Sequence, residues 1–442
     1  STLSPSSAAS DVYKRQLYIR LRFFTMSFFH CGIDFGTSNS SIAVASADGK
    51  PYLVAVEDSQ PTIPSTVFYE PGHLPLFGHQ ALSAYLHGRE GRFMRSLKRV
   101  LGTDLMLSGT IVNGKSVKFE NILAQFVGYL KHQAEENVKD ELTDVVMGRP
   151  VHFRDNDEKG DREAERQLEN IARRVGFKNI VFQYEPIAAA FAHEPRISGE
   201  KLACVIDIGG GTSDFSIIRI GTALSHKSDR SDDILASSGI RIGGNDFDKS
   251  LSLRFFMPSL GLGTTYGAKS LPVPTSQYFD LSEWSKVNSV YTYQNRKVVT
   301  EVLSNAHCPE LYGRLLEVID REKGHVILGL AEKAKIALTD DGRHTEVLEF
   351  LSGCPKIISE RSEFEQAINL SLDKISDSVK ECLRQAETSA DKIELIILTG
   401  GSTEIPHVRQ VLCAHFPQAE ISSENKMSSV GLGLAYDSIR RF

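Results

Sequence analysis

Two stretches far apart in the chain share one unusual skeleton, and any fold must accommodate both. Residues 31–44 read CGIDFGTSNSSIAV, and residues 203–218 read ACVIDIGGGTSDFSII. Each runs cysteine, any residue, isoleucine, aspartate, an apolar residue and glycine, then Thr-Ser and a later Ser-Ile. An apolar run that breaks into glycine and resumes reads as two strands joined by a tight turn. Glycine there permits positive φ and leaves backbone N–H groups open to a ligand, and clusters of such groups bind anions. An aspartate just before the turn would repel a phosphate. Its natural task is to hold a hydrated Mg²⁺, which keeps several waters and takes one or two carboxylates. Asp34 and Asp207 are therefore the candidate metal-holding residues. Gly36, Thr37 and Ser38, with Gly209, Gly210, Gly211 and Thr212, are candidate phosphate donors. Either turn alone reads better as a plain glycine-rich hairpin. Two copies with the aspartate in register read as one duplicated device gripping a polyphosphate from both sides.

At 442 residues the chain has room for two or more domains. Charged residues at 24% and a net charge of -6 suit an ordinary globular protein and argue against a nucleic-acid binder. The six cysteines are scattered without a CxxC pair, which points to reduced thiols and a cytoplasmic setting, with Cys31 and Cys204 as small core residues. No run of apolar residues is long enough for a membrane span. Residues 1–26 read as a disordered or non-native tail, with Met26 as the native start.

The rest alternates α and β. Apolar runs at 32–56 read as strands, with Asp48-Gly49 as a hairpin turn. Helices are expected over 121–138 and 161–175, and a strand at TDVVMGRPVHF. NIVFQYEPIAAAFAHE reads as strand then helix, with Pro186 in the first helical position. The strand IELIILTGGS leads to helices in IPHVRQVLCAHF and SSVGLGLAYDSIRR. Residues 362–387 predict the clearest helix, with Ser362 and Glu365 as a capping box. No element is assigned with assurance over 254–312. The strand-to-glycine step at TGGSTEIP suits an anion or a polar ligand edge, though many αβ loops look alike.

Residues 109–116, GTIVNGKS, match the P-loop pattern letter for letter. A P-loop needs a helix starting at its Gly-Lys-Ser. Here Asn113-Gly114 lies between β-branched residues and SVKF, so the segment reads as a structural hairpin.

GIDFGTSNS, DIGGGTSDFS, EPIAAAFAH, IGGNDFD, EKAKIALT and TGGSTEIP, in this order, resemble the nucleotide-binding domain of the heat-shock 70 kDa (DnaK) chaperones, over essentially Met26 to the C-terminus. The overall form is similar to short YegD-type chaperone-like proteins. The resemblance implies an α/β, two-lobed actin-like (ribonuclease H-like) ATPase. Lobe I would run over 27–203 and lobe II over 204–424, with a C-terminal helix at 425–442 returning to lobe I. It implies ATP and Mg²⁺ as cofactors, slow ATP hydrolysis, and co-chaperone or client proteins as partners. Asn39 joins the first phosphate hairpin, and Asp214 closes the motif of the second. Lys98 of SLKRVLG matches the lysine at the terminal phosphate. Glu185 matches the carboxylate near the catalytic water, and Pro150 the proline at the lobe crossing. Lys98, Glu185, Asp207 and Thr212 make up the implied catalytic group. Gly243 and Gly244 belong to the implied nucleotide site. Glu332, Lys335 and Thr339 match ribose and adenine contacts, and Gly400, Gly401 and Ser402 match the adenosine loop.

Read without the family, Glu185 is a carboxylate at a helix N-terminus, and Lys98, among Arg92, Arg95 and Arg99, lies on a solvated basic face. Two departures stand out. The family continues into a peptide-binding β-sandwich, which this reading expects to be missing, and Glu404 stands where many members carry an arginine against adenine. A small-molecule kinase and a filament-forming ATPase of the same superfamily are the alternatives.

Overall fold

The structure is a computed structural model, and it describes residues 29–46, 50–154, 157–191, 193–194, 197–224, 227, 229–422 and 429–442. The expected N-terminal tail with Met26, and the Asp48-Gly49 turn, lie outside the described residues. Only the elements that place the site are labelled below.

Strand β1 (Phe29–Phe35) pairs antiparallel with β2 (Asn39–Ser46), which sets Asp34 opposite Ser41. On one flank β2 pairs with β3 (Tyr52–Leu53). On the other, β1 runs parallel to β4 (Asp144–Arg149), and β4 parallel to β5 (Asn179–Tyr184). The second device repeats this plan. Strand β6 (Glu200–Ile208) pairs antiparallel with β7 (Ser213–Gly221), which sets Asp207 opposite Asp214. Strand β8 (Ile234–Ile240) follows β7, while β9 (Leu395–Thr399) and β10 (Glu420–Ile421) extend the sheet in parallel from β6. The sheet orders are β5-β4-β1-β2-β3 and β10-β9-β6-β7-β8. The duplicated sequence is thus a duplicated sheet, each with its glycine hairpin at the centre.

Seven helices matter here: α1 (Phe119–Val138), α2 (Glu158–Arg174), α3 (Glu185–Phe191), α4 (Gly244–Leu251), α5 (Gly324–Asp340), α6 (Arg361–Gln385) and α7 (Ser429–Arg441). Helix α1 turns Ile122, Phe126, Val127 and Leu130 into one core with Ile33 and Phe35 of β1, and α2 adds Leu168 and Ile171. Asp157 caps α2 by accepting from the Gly160 N–H at 2.9 Å. A second core gathers Ile206, Phe215 and Ile217 with α4, α5 and α6. Between the two sheets lies a third, built from Ile187 to Phe191 of α3, Val430 and Leu434 of α7, and the inner faces of β6, β7 and β9. Residues from Ala203 to Ile206 are buried in succession because both faces of β6 are covered.

Helix α7 lies backbone-close to its neighbours, which explains the glycines of SSVGLGLAY. A side chain at Gly433 would collide with the Ala188 carbonyl of α3, and one at Gly431 would reach Ser41 Oγ at 2.6 Å. The strand glycine Gly32 faces the α7 backbone at Leu434 and Ala435.

Several expectations need correction. Helix α6 starts at Arg361, with Glu360 as N-cap and no side-chain cap, so Ser362 and Glu365 lie inside the helix and form no capping box. The cause is the strand Lys356–Glu360, which runs straight into the helix; the Arg361 N–H is already taken by the Gly342 carbonyl at 2.9 Å. The helix ends at Gln385, and Glu387 beyond it has left-handed geometry. The stretch 254–312 holds helices at Ser276–Leu281 and Tyr293–Leu303 and the start of Pro309–Asp320. The GTIVNGKS segment is a hairpin, Gly109–Val112 against Lys115–Lys118, with α1 starting only at Phe119. No helix among the described residues is long and apolar enough to cross a membrane.

The glycines make a direct prediction. Gly433→Ala is expected to lower the unfolding free energy by about 1–3 kcal/mol through overpacking. Gly313→Ala, within the helix Pro309–Asp320 and with open space at its Cβ, is expected to raise it by about 0.5–1 kcal/mol through helix propensity. Urea unfolding of both variants measures the contrast.

Candidate functional site

The two glycine turns meet. A Cβ on Gly210 would collide with the Ser38 side chain of the other hairpin, so glycine is required for the contact. The Ser38 hydroxyl is buried and has no hydrogen-bond partner among the described residues. Behind the second turn, Gly209 N–H donates to the Thr212 carbonyl at 3.0 Å. The N–H groups of Gly244 and Asn245, at the start of α4, hold the carbonyls of Gly209 and Gly210 at 2.9 and 2.7 Å. A trans peptide points its N–H opposite its carbonyl. Holding those carbonyls from behind therefore aims the N–H groups of Gly210 and Gly211 away from α4.

The turns border a cavity of about 840 Å³, ample for a cofactor-sized ligand. Its wall includes Asp34, Gly36, Thr37, Ser38 and Asn39 from the first hairpin, and Asp207, Gly209, Gly210, Gly211, Thr212 and Asp214 from the second. Lys98, Glu185, Gly244, Glu332, Lys335, Thr339, Gly400, Gly401, Ser402 and Glu404 also line it. The fold thus brings together nearly every residue singled out from the sequence. Gly243 is the exception. It sits behind the second turn, gives its N–H to the Asp246 carboxylate at 2.9 Å, and packs on Gly209 to Gly211.

Lys98 reaches the cavity through a sharp bend. Ser96 takes a left-handed conformation, φ 57°, between the strand Arg92–Arg95 and a short 3-10 turn Leu97–Val100. The Lys98 ammonium then meets Glu185 Oε1 at 2.6 Å, with side chains 9% and 15% exposed. A solvated basic face is therefore not what the fold makes of Lys98. Glu185 opens α3 with Pro186 next to it, so its carboxylate stands at a helix start and faces the cavity.

Four carboxylates surround this one ammonium. Burial works against the charge on Lys98, but Glu185, Asp34 and Asp207 outweigh it and hold the ammonium above its ordinary range. Burial pushes the Asp34 carboxyl up, Glu185 adds to the push, and Lys98 opposes it. Burial and Glu185 raise Asp207 to about 6, against a hydrogen bond from Thr399. Asp214 opens on the cleft, yet the enclosing walls and the Asp207 charge push it up to about 7. An excess of buried negative charge is what a divalent cation relieves. Among the described residues no group of three or more His, Cys, Asp or Glu side chains forms a ready metal cage. The carboxylates fit instead a hydrated Mg²⁺, which needs only one or two of them. A side chamber of about 60 Å³, room for a few waters, adjoins Glu185, Asp207 and Asp214 and is lined also by His152, Ser216, Ser237 and Ser238.

Gly400 has φ 78°, and a side chain there would meet Asp207 Oδ1 and the Ile208 carbonyl carbon at 2.6 Å. A 3-10 turn, Gly401–Glu404, intervenes before the helix Pro406–Cys413. The Lys335 ammonium is paired with buried Asp248 at 2.8 Å, so it braces α5 against α4. Ile336, 61% exposed, presents an apolar surface to the cavity.

The Hsp70 protein family model matches residues 30–111, 105–261 and 319–438. The chain belongs to the Hsp70 family. The two equivalent sheets with the cleft between them are the two-lobed actin-like ATPase fold of that family. The family match stops at 261 and resumes at 319, so the helices at Ser276–Leu281, Tyr293–Leu303 and the start of Pro309–Asp320 lie outside it. Sequence reasoning also missed Arg95, Asn245, His152 and Arg241, which line the cavity. Asn245 lies within the quoted IGGNDFD motif and His152 within the quoted TDVVMGRPVHF strand, so both were within reach; Arg95 and Arg241 lie outside every quoted motif.

The raised carboxyls give a pH prediction for the protein free of nucleotide and metal. Asp207 titrates higher in the folded chain than its ordinary value of 3.8. Its favourable contribution is therefore present below that value and is lost as pH rises through about 6. Asp207→Asn abolishes the ionisation. The variant is expected to gain about 1–3 kcal/mol over the parent at pH 8 and nothing at pH 4, measured by urea unfolding at both pH values.

Proposed function

We propose that this chain binds ATP with Mg²⁺ in the interlobe cleft and hydrolyses the terminal phosphate slowly, as a chaperone-like ATPase similar to the short YegD-type members of its family. The observation that carries the reading is the meeting of the two glycine turns beside the buried Lys98–Glu185 pair. With it goes a division of the lobes near residue 204, the last helix, α7, returning to lobe I.

The donors suit the assignment. N–H groups of the two turns, with the hydroxyls of Thr37, Ser38 and Thr212, would hold the phosphates, and the partnerless Ser38 Oγ gains an acceptor. Asp34 and Asp207 would hold Mg²⁺ through its waters. The ion would supply charge neutralisation along the polyphosphate. Glu332, Lys335 and Thr339 on α5, facing Gly400, Gly401 and Ser402, would take the ribose and base.

Phosphoryl transfer to water needs positioning and electrostatic support more than covalent help. Lys98 supplies a fixed positive charge where negative charge collects on the transferring group. Its pairing with Glu185 keeps both side chains oriented before any ligand arrives. Glu185 is placed to accept a hydrogen bond from a water drawn from the adjoining chamber and to aim it. Thr212 and Asp214 line the cavity and would steady that water.

Lys98→Ala is expected to retain ATP binding by isothermal titration while slowing single-turnover hydrolysis by about 100-fold or more. Lys115→Ala, in the exposed hairpin of the P-loop look-alike, is expected to change neither. Loss of ATP binding in Lys115→Ala would contradict the placement of the site. Adding unfolded peptides to the same ATPase assay tests the chaperone-like part, for which stimulated turnover is the expected result.

A further inference from the structure

The segment that the family match leaves out contains the chain's single tryptophan, Trp284. It stands in the turn between the helix Ser276–Leu281 and the 3-10 turn Val287–Tyr291, on the side of the second sheet. Its indole N–H is buried without a hydrogen-bond partner among the described residues. What orients the ring is stacking. The guanidinium of Arg95 lies over it, 4.4 Å from the centroid.

Arg95 comes from the other side of the cleft. It ends the strand Arg92–Arg95, which pairs with Thr66–Tyr69 against the first sheet's core. Three further partners lie across the cleft with Trp284. It donates to Asn245 Oδ1 of α4 at 3.4 Å, and Glu332 and Asp248 offset part of the cost of burying its charge. Beside it the contact continues as an aromatic seam. Tyr85 stacks on Phe93 at 4.1 Å and meets His325 of α5 edge-on at 4.4 Å, and His325 lies 6.3 Å from the Trp284 ring. Leu86 closes the row against Gly329. Arg95 is at the same time part of the cavity wall. Arg95 thus joins the Trp284 contact to the cavity wall.

We propose that Arg95 is a positioning residue for the nucleotide, acting as a latch that stacks on Trp284 across the cleft and sets how long the nucleotide is held. This rests on the nucleotide reading above. A planar guanidinium can lie flat on an indole while donating at its edge; a lysine ammonium cannot do both. The latch thus depends on shape as well as charge, which separates it from a plain phosphate-binding cation.

Trp284, being alone, reports the latch directly. The test measures release of a fluorescent ADP analogue with Mg²⁺ by stopped flow, together with tryptophan emission and small-angle X-ray scattering of the nucleotide-free chain. Arg95→Met and Arg95→Lys are both expected to release the analogue about 2- to 30-fold faster, with a red shift in Trp284 emission. Trp284→Leu is expected to match Arg95→Met in release rate, and the double variant to be no faster than either single one. Full rescue by Arg95→Lys, additive effects in the double variant, or parent-like release with unchanged emission would overturn the proposal. If the parent chain binds no nucleotide at all, the nucleotide reading fails, and with it the retention role. The latch itself is then decided by scattering and emission. A larger radius of gyration and a red shift in Arg95→Met keep it; no change in both removes it.

Discussion

Four carboxylates converge on one ammonium at the centre of this molecule, and the architecture exists to keep them there. Asp34, Glu185, Asp207 and Asp214 each arrive on a different strand or helix start. Lys98, at 2.6 Å from Glu185, opposes the rise of Asp34, Asp207 and Asp214. Burying that much like charge disfavours the folded state. The two sheets, cross-braced by α3 and α7, supply the packing that tolerates it. A cation bound among these carboxylates would relieve that repulsion, and occupancy of the cleft would then be tied to the stability of the whole chain.

The duplicated hairpin was legible because its signal is local and chemically rare. Asp34 and Asp207 precede glycines at the same spacing, and the two sheets repeat one strand order. The P-loop look-alike was dismissed from Asn113-Gly114, and its hairpin is present. Helix α6 was plain from its apolar stripe, but its start was misread. Ser362 has the chemistry of a cap, while the incoming strand had already fixed the backbone at Arg361. Local propensity yielded there to tertiary connection.

Other features left no mark at sequence level. The helix Ser276–Leu281 spans fewer than two turns and Tyr293–Leu303 about three, so neither carries a long apolar stripe, and Tyr278, Leu281, Val299 and Val302 join one core only after folding. Arg95 and Trp284 are far apart in sequence, and nothing in either neighbourhood announces the other. Gly243 shows a subtler limit. It belongs to a recognisable glycine pair, yet only Gly244 reaches the cavity, because Gly243 packs behind the second turn, whose carbonyls are held by the N–H groups of Gly244 and Asn245.

Helix α7 has a consequence for how the chain is made. It supplies the layer on which β1, β4 and α3 rest, yet it lies about as far from β1 along the polypeptide as this sequence allows. On a ribosome, the first sheet emerges hundreds of residues ahead of the helix that covers its inner face. Contacts of such long range slow folding and leave apolar surface waiting. Through most of its own synthesis, this member of a chaperone family exposes the kind of surface that chaperones recognise.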